Sequence, residues 1–301
     1  MYLSHFGLSA LPFTLTPDPG FCYHLPHQQD AINMLMLGLR MGEGFMKITG
    51  EIGSGKTFIS CYVSALLKEK YHVIYIANPH LNRIELLHEM ADALDIPDHH
   101  VMEGRPLLNR IQEKVVATHL AGKKVVIMVD EAQAVPVMTL EALRMLTNFE
   151  TKKRKLIQVI LFGQPELNQL LSIKSMRPLR QRILFSYHLK PLTQKETYAY
   201  IRHRIYVARK KRGEVFDEKA LRKIYLASRG FPRLINIIAH KSLLSAFGLR
   251  ANQVGVYHVR RAISDTDGLQ ARWFPFSLPL LSQFRSKKFS EAALREAREA
   301  L

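Results

Sequence analysis

The chain has 301 residues, of which 47% are hydrophobic and 23% are charged, and its formal net charge is +17. These proportions are typical of folded globular proteins and exclude disordered and collagen-like chains. No apolar run reaches the roughly 18 residues of a membrane-spanning helix, and no basic segment precedes an apolar run at the start as in a signal peptide. Cys22 and Cys61 are too few for a disulfide framework or a zinc ribbon. We therefore expect a cytoplasmic protein of about two domains.

The charge is unevenly distributed along the chain. Residues 1–150 contain 12 basic and 16 acidic side chains, whereas residues 151–301 contain 31 basic and 10 acidic ones, a net charge of +21. Compact basic runs occur at 152–155 and 209–212. A half of the chain with this positive charge can attract nucleic acid, anionic lipid or an acidic protein. No helix-turn-helix, zinc-finger or RNP signature accompanies the runs, so sequence-specific reading of bases is not predicted.

Taken in chain order, the elements predict an α/β fold. Residues 1–28 are rich in turn formers and aromatic residues and are predicted to form an extended segment against a domain. A helix is predicted at about 28–41. The apolar runs that follow it and alternate with helical stretches are Phe45–Thr49, His72–Ala77, Val125–Val129, Leu156–Phe162 and Ile183–Leu189. This alternation predicts a parallel sheet with helices on both faces.

After Pro191 the strand signals stop. Helices are predicted at 193–212, 217–228, 232–247 and 256–264, which would form a small all-helical lid domain. We therefore expect four segments: 1–28, an α/β domain at 29–190, the helical lid at 191–265 and a basic and aromatic tail at 266–301. The tail contains an aromatic stretch at 273–276, basic residues at 285–288 and a predicted helix from Ser290. Docking to a membrane interface and packing against its own domain or a partner subunit all fit such a tail.

A phosphate-binding loop follows the first predicted strand. Residues 50–57 fit the pattern G-x-x-x-x-G-K-[ST], and we call them the P-loop. They are Gly50, Glu51, Ile52, Gly53, Ser54, Gly55, Lys56 and Thr57. The glycines let backbone N–H groups cradle phosphate, Lys56 adds positive charge for the β- and γ-phosphates, and the Thr57 hydroxyl can ligate Mg²⁺. The predicted ligands are therefore ATP and Mg²⁺.

Acidic and amide side chains follow two other predicted strands. Asp130 and Glu131 come directly after Val125–Val129, and Gln164 follows the fourth strand. Ligands bind at the carboxyl edge of a parallel sheet, so Asp130 is predicted to hold Mg²⁺ and Glu131 to activate water. Gln164 is predicted to contact the γ-phosphate or the attacking water.

Together these motifs resemble the AAA+ ATPases, and within them the ExeA/GspA-like branch. The likeness extends over roughly residues 1–265. Besides the P-loop, the motifs are Phe6-Gly7-Leu8, Leu11-Pro12-Phe13, Pro17-Asp18-Pro19, Gly42-Glu43-Gly44-Phe45, Asp130-Glu131-Ala132-Gln133, Gly163-Gln164-Pro165-Glu166-Leu167, Leu179-Arg180-Gln181-Arg182-Ile183 and Gly230-Phe231-Pro232-Arg233. Since no membrane span or periplasmic extension like that of ExeA is predicted in these 301 residues, the likeness is expected to be greatest to the ATPases of MSHA type IV pilus biogenesis.

The resemblance implies further roles. Arg233 corresponds to the sensor that reaches the γ-phosphate from the lid, and Arg182, or else Arg180, to the arginine finger that enters a neighbouring subunit's site. A trans finger implies a homo-oligomer. The segment around Pro12 and Phe13 is implied to lie beside the adenine. The implied partners are pilus or secretion-machine proteins at the inner membrane.

Two other functions stay open. A DNA-binding AAA+ ATPase that resembles the TniB and Mu B transposition regulators would use the basic half for non-specific DNA binding. A nucleotide-gated interaction module would bind ATP and barely hydrolyse it. Among the 13 histidines no metal-binding spacing is apparent, and His99 and His100 are predicted to lie in a polar loop.

Overall fold

A single parallel sheet organises the first two thirds of the chain. The structure is a computed structural model and describes residues 2–16, 19–21, 25–150, 155–209 and 213–266. The strands are β1 Phe45–Gly50, β2 Tyr71–Ile76, β3 Lys124–Val129, β4 Ile157–Gly163 and β5 Ile183–Leu189. Their order across the sheet is β2-β3-β4-β1-β5, and every neighbouring pair is parallel. No strand deviates from its predicted bounds by more than one residue at either end, and the predicted fold class is confirmed.

Helices connect the strands and then form the C-terminal part of the described chain. They are α1 Tyr2–Phe6, α2 Pro26–Met41, α3 Lys56–Leu67, α4 Arg83–Ala93, α5 Gly104–Leu120, α6 Val137–Leu146, α7 Glu166–Ser172, α8 Arg177–Arg180, α9 Gln194–Ala208, α10 Glu218–Ser228, α11 Pro232–Gly248 and α12 Val256–Ser264. The predicted starts of α9, α10 and α11 are observed. Thr193 caps α9 in a capping box with Glu196, Asp217 caps α10, and Pro232 opens α11.

The sheet is buried on both faces because successive side chains of a strand point in opposite directions. In β3, Val126 and Met128 join the core that α2 and α3 cover. Val125, Ile127 and Val129 join the core on the other face, under α4 to α8. All five side chains are at most 1% exposed. The near-continuous apolar composition of the strand follows from this double burial.

The topology brings three polar segments to one edge of the sheet. β4 lies between β1 and β3, and parallel strands end at the same edge. The P-loop follows β1, Asp130 follows β3, and Gln164 follows β4. The edge at which ligands bind in open α/β sheets therefore carries all three.

The N-terminal segment differs in part from the predicted extended form. Residues Tyr2–Phe6 form the short helix α1, because Tyr2 and Phe6, four residues apart, then face the same way. Both side chains are buried in a core that α9 to α12 share, and Phe13 and Phe21 join them. The Tyr2 hydroxyl lies 2.9 Å from Nδ1 of His240 on α11. The aromatic residues are thus anchors, as predicted, but on the C-terminal helices.

Gly230, between α10 and α11, lies very close to the backbone of Leu192, which precedes α9. Its φ is +80°, and a Cβ at this position would lie 2.0 Å from the backbone oxygen of Leu192. We expect Gly230→Ala to lower the free energy of unfolding by at least about 3 kcal/mol, from strain and overlap together. Gly122→Ala is the matched control, since Gly122 has φ +85° and no atom within 4 Å of a Cβ. It should cost only about 1–2 kcal/mol.

Chemical denaturation of the two variants and the parent measures both values. Equal losses of stability in Gly230→Ala and Gly122→Ala would contradict the close approach of Gly230 to Leu192.

Several predicted features lie outside the described residues. They are the basic residues at 152–154 and 210–212, and the tail from residue 267, including 273–276, 285–288 and the helix from Ser290. Their predicted contacts with phosphate, lipid or protein stay predictions. Within the described part of the chain, no helix combines the length and apolarity needed to cross a bilayer.

Candidate nucleotide-binding site

The P-loop turns tightly between β1 and α3. Gly53 and Gly55 have φ of +78° and +101°, a conformation that L side chains rarely adopt. Nζ of Lys56 donates hydrogen bonds to the backbone oxygens of Gly50 (2.8 Å) and Glu51 (3.2 Å). Burial lowers the pKa of Lys56, and nearby carboxylates oppose that shift. The loop therefore holds a cation at its centre.

One hydroxyl group of the P-loop is buried without a hydrogen-bond partner in the described part of the chain, as expected of a loop that binds phosphate. Oγ of Ser54 is buried and has no hydrogen-bond partner among the described residues. A buried hydroxyl of this kind costs stability unless an acceptor meets it. Phosphate oxygens are such acceptors, and the N-terminus of α3 adds a favourable dipole for the same anion.

Arg233 lies directly against the P-loop. Its backbone N–H donates to the oxygen of Gly53 at 3.4 Å. A Cβ on Gly53 would lie 2.8 Å from Cβ of Arg233, so only glycine allows this approach. The first turn of α11 thus faces the phosphate-binding loop, and Arg233 lies beside the place predicted for the γ-phosphate.

Asp130 lies where a metal ligand is needed. Its Oδ2 accepts hydrogen bonds from the Thr57 hydroxyl at 3.4 Å and from the Tyr75 hydroxyl at 2.9 Å. Burial raises the pKa of Tyr75 to about 12, so this tyrosine donates as a neutral phenol at physiological pH. A carboxylate and a hydroxyl oxygen side by side are the hard ligands that Mg²⁺ prefers. Asp130 and Thr57 therefore fit the predicted magnesium site, in which Mg²⁺ would polarise the phosphate oxygens.

Glu131 combines an uncommon backbone conformation with a carboxylate that two amides hold. Its φ is +48°, which is uncommon outside glycine. Its Oε2 accepts hydrogen bonds from Nε2 of Gln133 (2.6 Å) and Nε2 of Gln164 (3.0 Å). Burial alone would raise the pKa of Glu131, but these two donors and Lys56 together bring it below its usual value of 4.5. The carboxylate is thus kept ionised, as a general base requires.

Gln133 is a residue that the sequence did not single out as part of the site. Its Oε1 accepts the backbone N–H of Gln164 at 2.8 Å, and its Nε2 donates to Glu131. Gln133 therefore fixes both of its neighbours at once. Its place in Asp-Glu-Ala-Gln, two residues after Glu131, is the sequence signal that could have identified it.

Replacing Gln133 by leucine should shift the pH dependence of ATP hydrolysis. Without its amide the influences that lower the pKa of Glu131 weaken, so that pKa rises and the base is protonated at higher pH. The acid limb of kcat/KM should then move to higher pH, and kcat should fall about 10- to 100-fold, since a hydrogen bond to a charged group contributes about 1.5–3 kcal/mol.

Steady-state kcat/KM and kcat, measured over a series of pH values, give the shift of the acid limb and the loss of turnover. Gln169→Leu, at an exposed position on α7, is the control and should keep the parent profile. A slower Gln133→Leu variant with an unmoved acid limb would mean that Gln133 does not act on the ionisation of Glu131.

The P-loop borders a cleft of about 390 Å³ between the sheet edge and the C-terminal helices. Its lining combines five parts of the chain: the N-terminal segment at Thr14–Thr16 and Phe21, Gln28 of α2, the P-loop with Phe58 after it, Glu131, and the residues Tyr200, Arg204, Pro232, Arg233 and Asn236 of α9 and α11. This volume is in the usual range for small-molecule sites. The N-terminal segment therefore reaches the predicted nucleotide site, with Thr14 to Thr16 as its lining rather than Pro12 and Phe13.

A buried polar network ties this segment to the helices. Arg204, only 7% exposed, donates to the backbone oxygen of Pro12 and, at 2.8 Å, to the hydroxyl of Tyr200. That hydroxyl donates to Oδ1 of Asn236, whose Nδ2 donates to the backbone oxygen of Thr14 at 3.1 Å. Sequence reasoning missed these side chains, because residues about 200 positions apart carry no shared local signal.

The two candidate finger arginines differ in their surroundings. Nη1 of Arg182 donates to the backbone oxygen of Arg144, to Oγ1 of Thr147 and to Oδ1 of Asn148, all at 3.2 Å or less. These acceptors lie at the C-terminal end of α6, where a cation is favoured. Arg180, at the end of α8, is exposed. Within one subunit, Arg182 is thus already bonded, whereas Arg180 faces solvent.

Comparison with known proteins agrees with this geometry. Residues 39–171, which contain the P-loop, Asp130, Glu131 and Gln164, match the family model described as "AAA domain". Over residues 39–171 the chain is similar to AAA domains. This match accounts for the order of the motifs along the sheet.

Relatives extend the likeness beyond the AAA domain. General secretion pathway protein A from Aeromonas hydrophila is 38% identical over 270 residues, which cover 90% of this chain and 49% of that protein. The chain is therefore related to general secretion pathway protein A and spans about half its length.

Solved structures share the fold. Cdc6p from Pyrobaculum aerophilum superimposes with a TM-score of 0.65 at 17% identity, covering 87% of this chain and 70% of Cdc6p. ORC1 from Aeropyrum pernix, solved in complex with DNA, has a TM-score of 0.61 at 17% identity, covering 84% of this chain and 69% of ORC1. At this identity the likeness concerns the fold alone.

Proposed function

We propose that this protein binds and hydrolyses ATP as a homo-oligomer, through an AAA domain at residues 29–190 and a helical lid at 191–265. The observation that carries the proposal is the placement of Glu131. Its ionised carboxylate is held by Gln133 and Gln164 and lies next to Asp130, on the same cleft as the P-loop and Arg233. A loop that binds an anion, two ligands for one metal ion and a general base on the same cleft are the parts that nucleotide hydrolysis requires.

Each side chain has a role in this proposal. Lys56 and Arg233 bind phosphate oxygens, and Thr57 and Asp130 hold Mg²⁺. Glu131 takes a proton from the attacking water, and Gln164 orients that water or the γ-phosphate. Because Arg233 belongs to α11 and the P-loop to the sheet, a bound γ-phosphate would bridge the lid and the AAA domain. Hydrolysis would then change the lid position.

Glu131→Gln is the direct test of the hydrolysis assignment. The amide keeps the size of the side chain but cannot accept a proton, so kcat should fall about 10²–10⁴-fold while ATP still binds. Steady-state turnover and titration with a fluorescent ATP analogue measure the two effects. Glu69→Gln, at an exposed position beyond α3, is the control and should match the parent. Parental turnover in Glu131→Gln would remove the catalytic role of Glu131.

The biological role is the assembly of a pilus or secretion apparatus at the inner membrane, with MSHA-like type IV pili as the most specific form. Identity to general secretion pathway protein A supports the secretion part, and the likeness of the sequence motifs to pilus ATPases supports the rest. In a deletion strain, parental protein should restore surface pili or secretion, and Glu131→Gln should not. Full restoration by the inactive variant would separate ATP hydrolysis from assembly.

Non-specific DNA binding is the second candidate, and the +21 net charge of residues 151–301 favours it. ATP turnover with and without duplex DNA, at low and physiological salt, distinguishes the two functions. A self-assembling pilus or secretion ATPase should turn over faster as its concentration rises, with no effect of DNA at physiological salt. Stimulation by DNA that survives physiological salt would instead indicate a regulator like those of transposition.

A further inference from the structure

A histidine cluster lies between α4 and the turn at His99–Val101, outside the nucleotide cleft. His88 and Asp92 are four residues apart on α4 and so share one face of the helix. After α4 the chain reverses direction, and the 3₁₀ turn places His99 and His100 against that face. His99 is only 3% exposed, whereas His88 is half-buried and His100 is exposed. Where a polar loop was predicted, the structure has a 3₁₀ turn with His99 buried, and the fold joins histidines that lie 11 and 12 positions apart in the sequence.

The hydrogen bonds of His99 determine which of its nitrogens can bind a metal. Nε2 of His99 lies 2.8 Å from Oδ1 of Asp92. A carboxylate accepts, so Nε2 carries the hydrogen and the lone pair is on Nδ1. That Nδ1 lies 3.1 Å from Nδ1 of His88. The carboxylate on the far nitrogen is the arrangement that orients metal-binding histidines in proteins.

The spacing of the nitrogens fits a first-row transition metal. One ligand nitrogen from each of His88, His99 and His100 lies within 4.8 Å of the other two. In a tetrahedral zinc site, Zn–N distances of about 2.0–2.1 Å place the ligand nitrogens about 3.3 Å apart. The pair of Nδ1 atoms is already close to that separation, at 3.1 Å, and the His100 ring is exposed at the edge of the cluster.

We propose that His88, His99 and His100 form a binding site for a divalent transition metal of the Zn²⁺ class. Asp92 positions His99 by accepting its Nε2–H, and three protein nitrogens leave a fourth position for water or for a side chain of a partner. Imidazole selects Zn²⁺, Ni²⁺ or Cu²⁺ over Mg²⁺, so this site does not compete with Thr57 and Asp130 for the magnesium of ATP. Bound metal would join α4 to the following turn.

The test uses Co²⁺ as a spectroscopic probe on the untagged full chain. Saturating Mg²⁺ and an ATP analogue occupy the nucleotide site. We expect one Co²⁺ per chain, with visible d–d absorption of a nitrogen-bound tetrahedral ion, and complete displacement by Zn²⁺. His88→Ala and His100→Gln should each weaken Co²⁺ binding at least about 100-fold, and Asp92→Asn about 10- to 100-fold.

The control is His80→Gln, an exposed histidine on the loop before α4, which should bind Co²⁺ like the parent. His100 is exposed, so its variant keeps the fold even if His88→Ala does not, and circular dichroism checks both. Absent Co²⁺ binding, or binding unchanged in His100→Gln, would overturn the proposal and leave a hydrogen-bonded histidine cluster. Because the nucleotide site is saturated throughout, such a failure would leave the proposed ATP hydrolysis untouched.

Discussion

Replacing Lys56 by alanine is expected to abolish ATP hydrolysis and to weaken ATP binding roughly 10²–10⁴-fold. The estimate follows from the loss of two hydrogen bonds between an ammonium and phosphate, each contributing about 1.5–3 kcal/mol. Lys56 is 5% exposed at the centre of the P-loop, on the cleft that the loop borders. Titration with a fluorescent ATP analogue measures the affinity, and steady-state turnover measures hydrolysis.

The variant itself should remain folded. Within the described residues, Lys56 donates to backbone oxygens of its own loop and to no other group. Burial already lowers its pKa, which marks the cost of keeping the ammonium there. Lys68→Ala, at the exposed C-terminal end of the same helix, is the matched control. ATP should raise the melting temperature of the parent and of Lys68→Ala but not that of Lys56→Ala. A parental rise in Lys56→Ala would contradict the phosphate-binding role.

Arg180→Ala is expected to lower turnover about 10³-fold or more, which is the usual effect of losing an arginine finger. Arg180 is exposed in the single subunit, as a side chain that enters a neighbouring site must be. ATP binding should stay near the parental value, because Arg180 would serve another subunit's nucleotide. Steady-state turnover at several protein concentrations measures the loss.

Mixing two inactive variants makes the trans arrangement testable. Arg180→Ala retains an intact P-loop and Lys56→Ala retains an intact finger, so mixed oligomers should recover part of the activity. No recovery on mixing, with both variants folded and associated, would overturn the trans role of Arg180.

Arg182→Ala is the comparison that separates the two arginines. Arg182 binds three acceptors at the end of α6, so we expect this variant to lose stability rather than the ability to complement Lys56→Ala. A loss of about 1–3 kcal/mol in the free energy of unfolding is the size expected for a charged hydrogen-bonding group. If Arg182→Ala instead reproduces the defect of Arg180→Ala without loss of stability, Arg182 is the finger, as the sequence likeness first implied.

The strands and the lid helices could be predicted because local physics determines them. A strand buried on both faces has to be apolar along its whole length, and Val125–Val129 shows this directly. Thr193 and Asp217 identify helix starts because a capping side chain bonds to backbone N–H groups two or three residues away. By contrast, helix α1 was predicted as extended chain, since its formation depends on packing of Tyr2 and Phe6 against distant helices.

Some residues of the candidate site could likewise be predicted from local sequence, and others could not. The P-loop is one short run of residues, and Asp130 and Glu131 are another. In each run the residue types and their order already indicate anion or metal binding. The amide partners of Glu131, the network around Arg204 and the surroundings of Arg182 depend on residues far apart in sequence. For these, only the relative placement of packed elements determines which side chains meet.

The sequence by itself determined the parallel sheet, the residues of the P-loop and the order of the motifs along the chain. Each rests on interactions within a few residues or on the alternation of burial along one strand. The tertiary structure alone decided that Gln133 positions Glu131, that Arg182 is bonded at the end of α6, and that His88 meets His99. The physical reason is that hydrogen bonds and metal sites need atoms within about 3–4 Å, and a chain reversal brings such atoms together without leaving a local pattern.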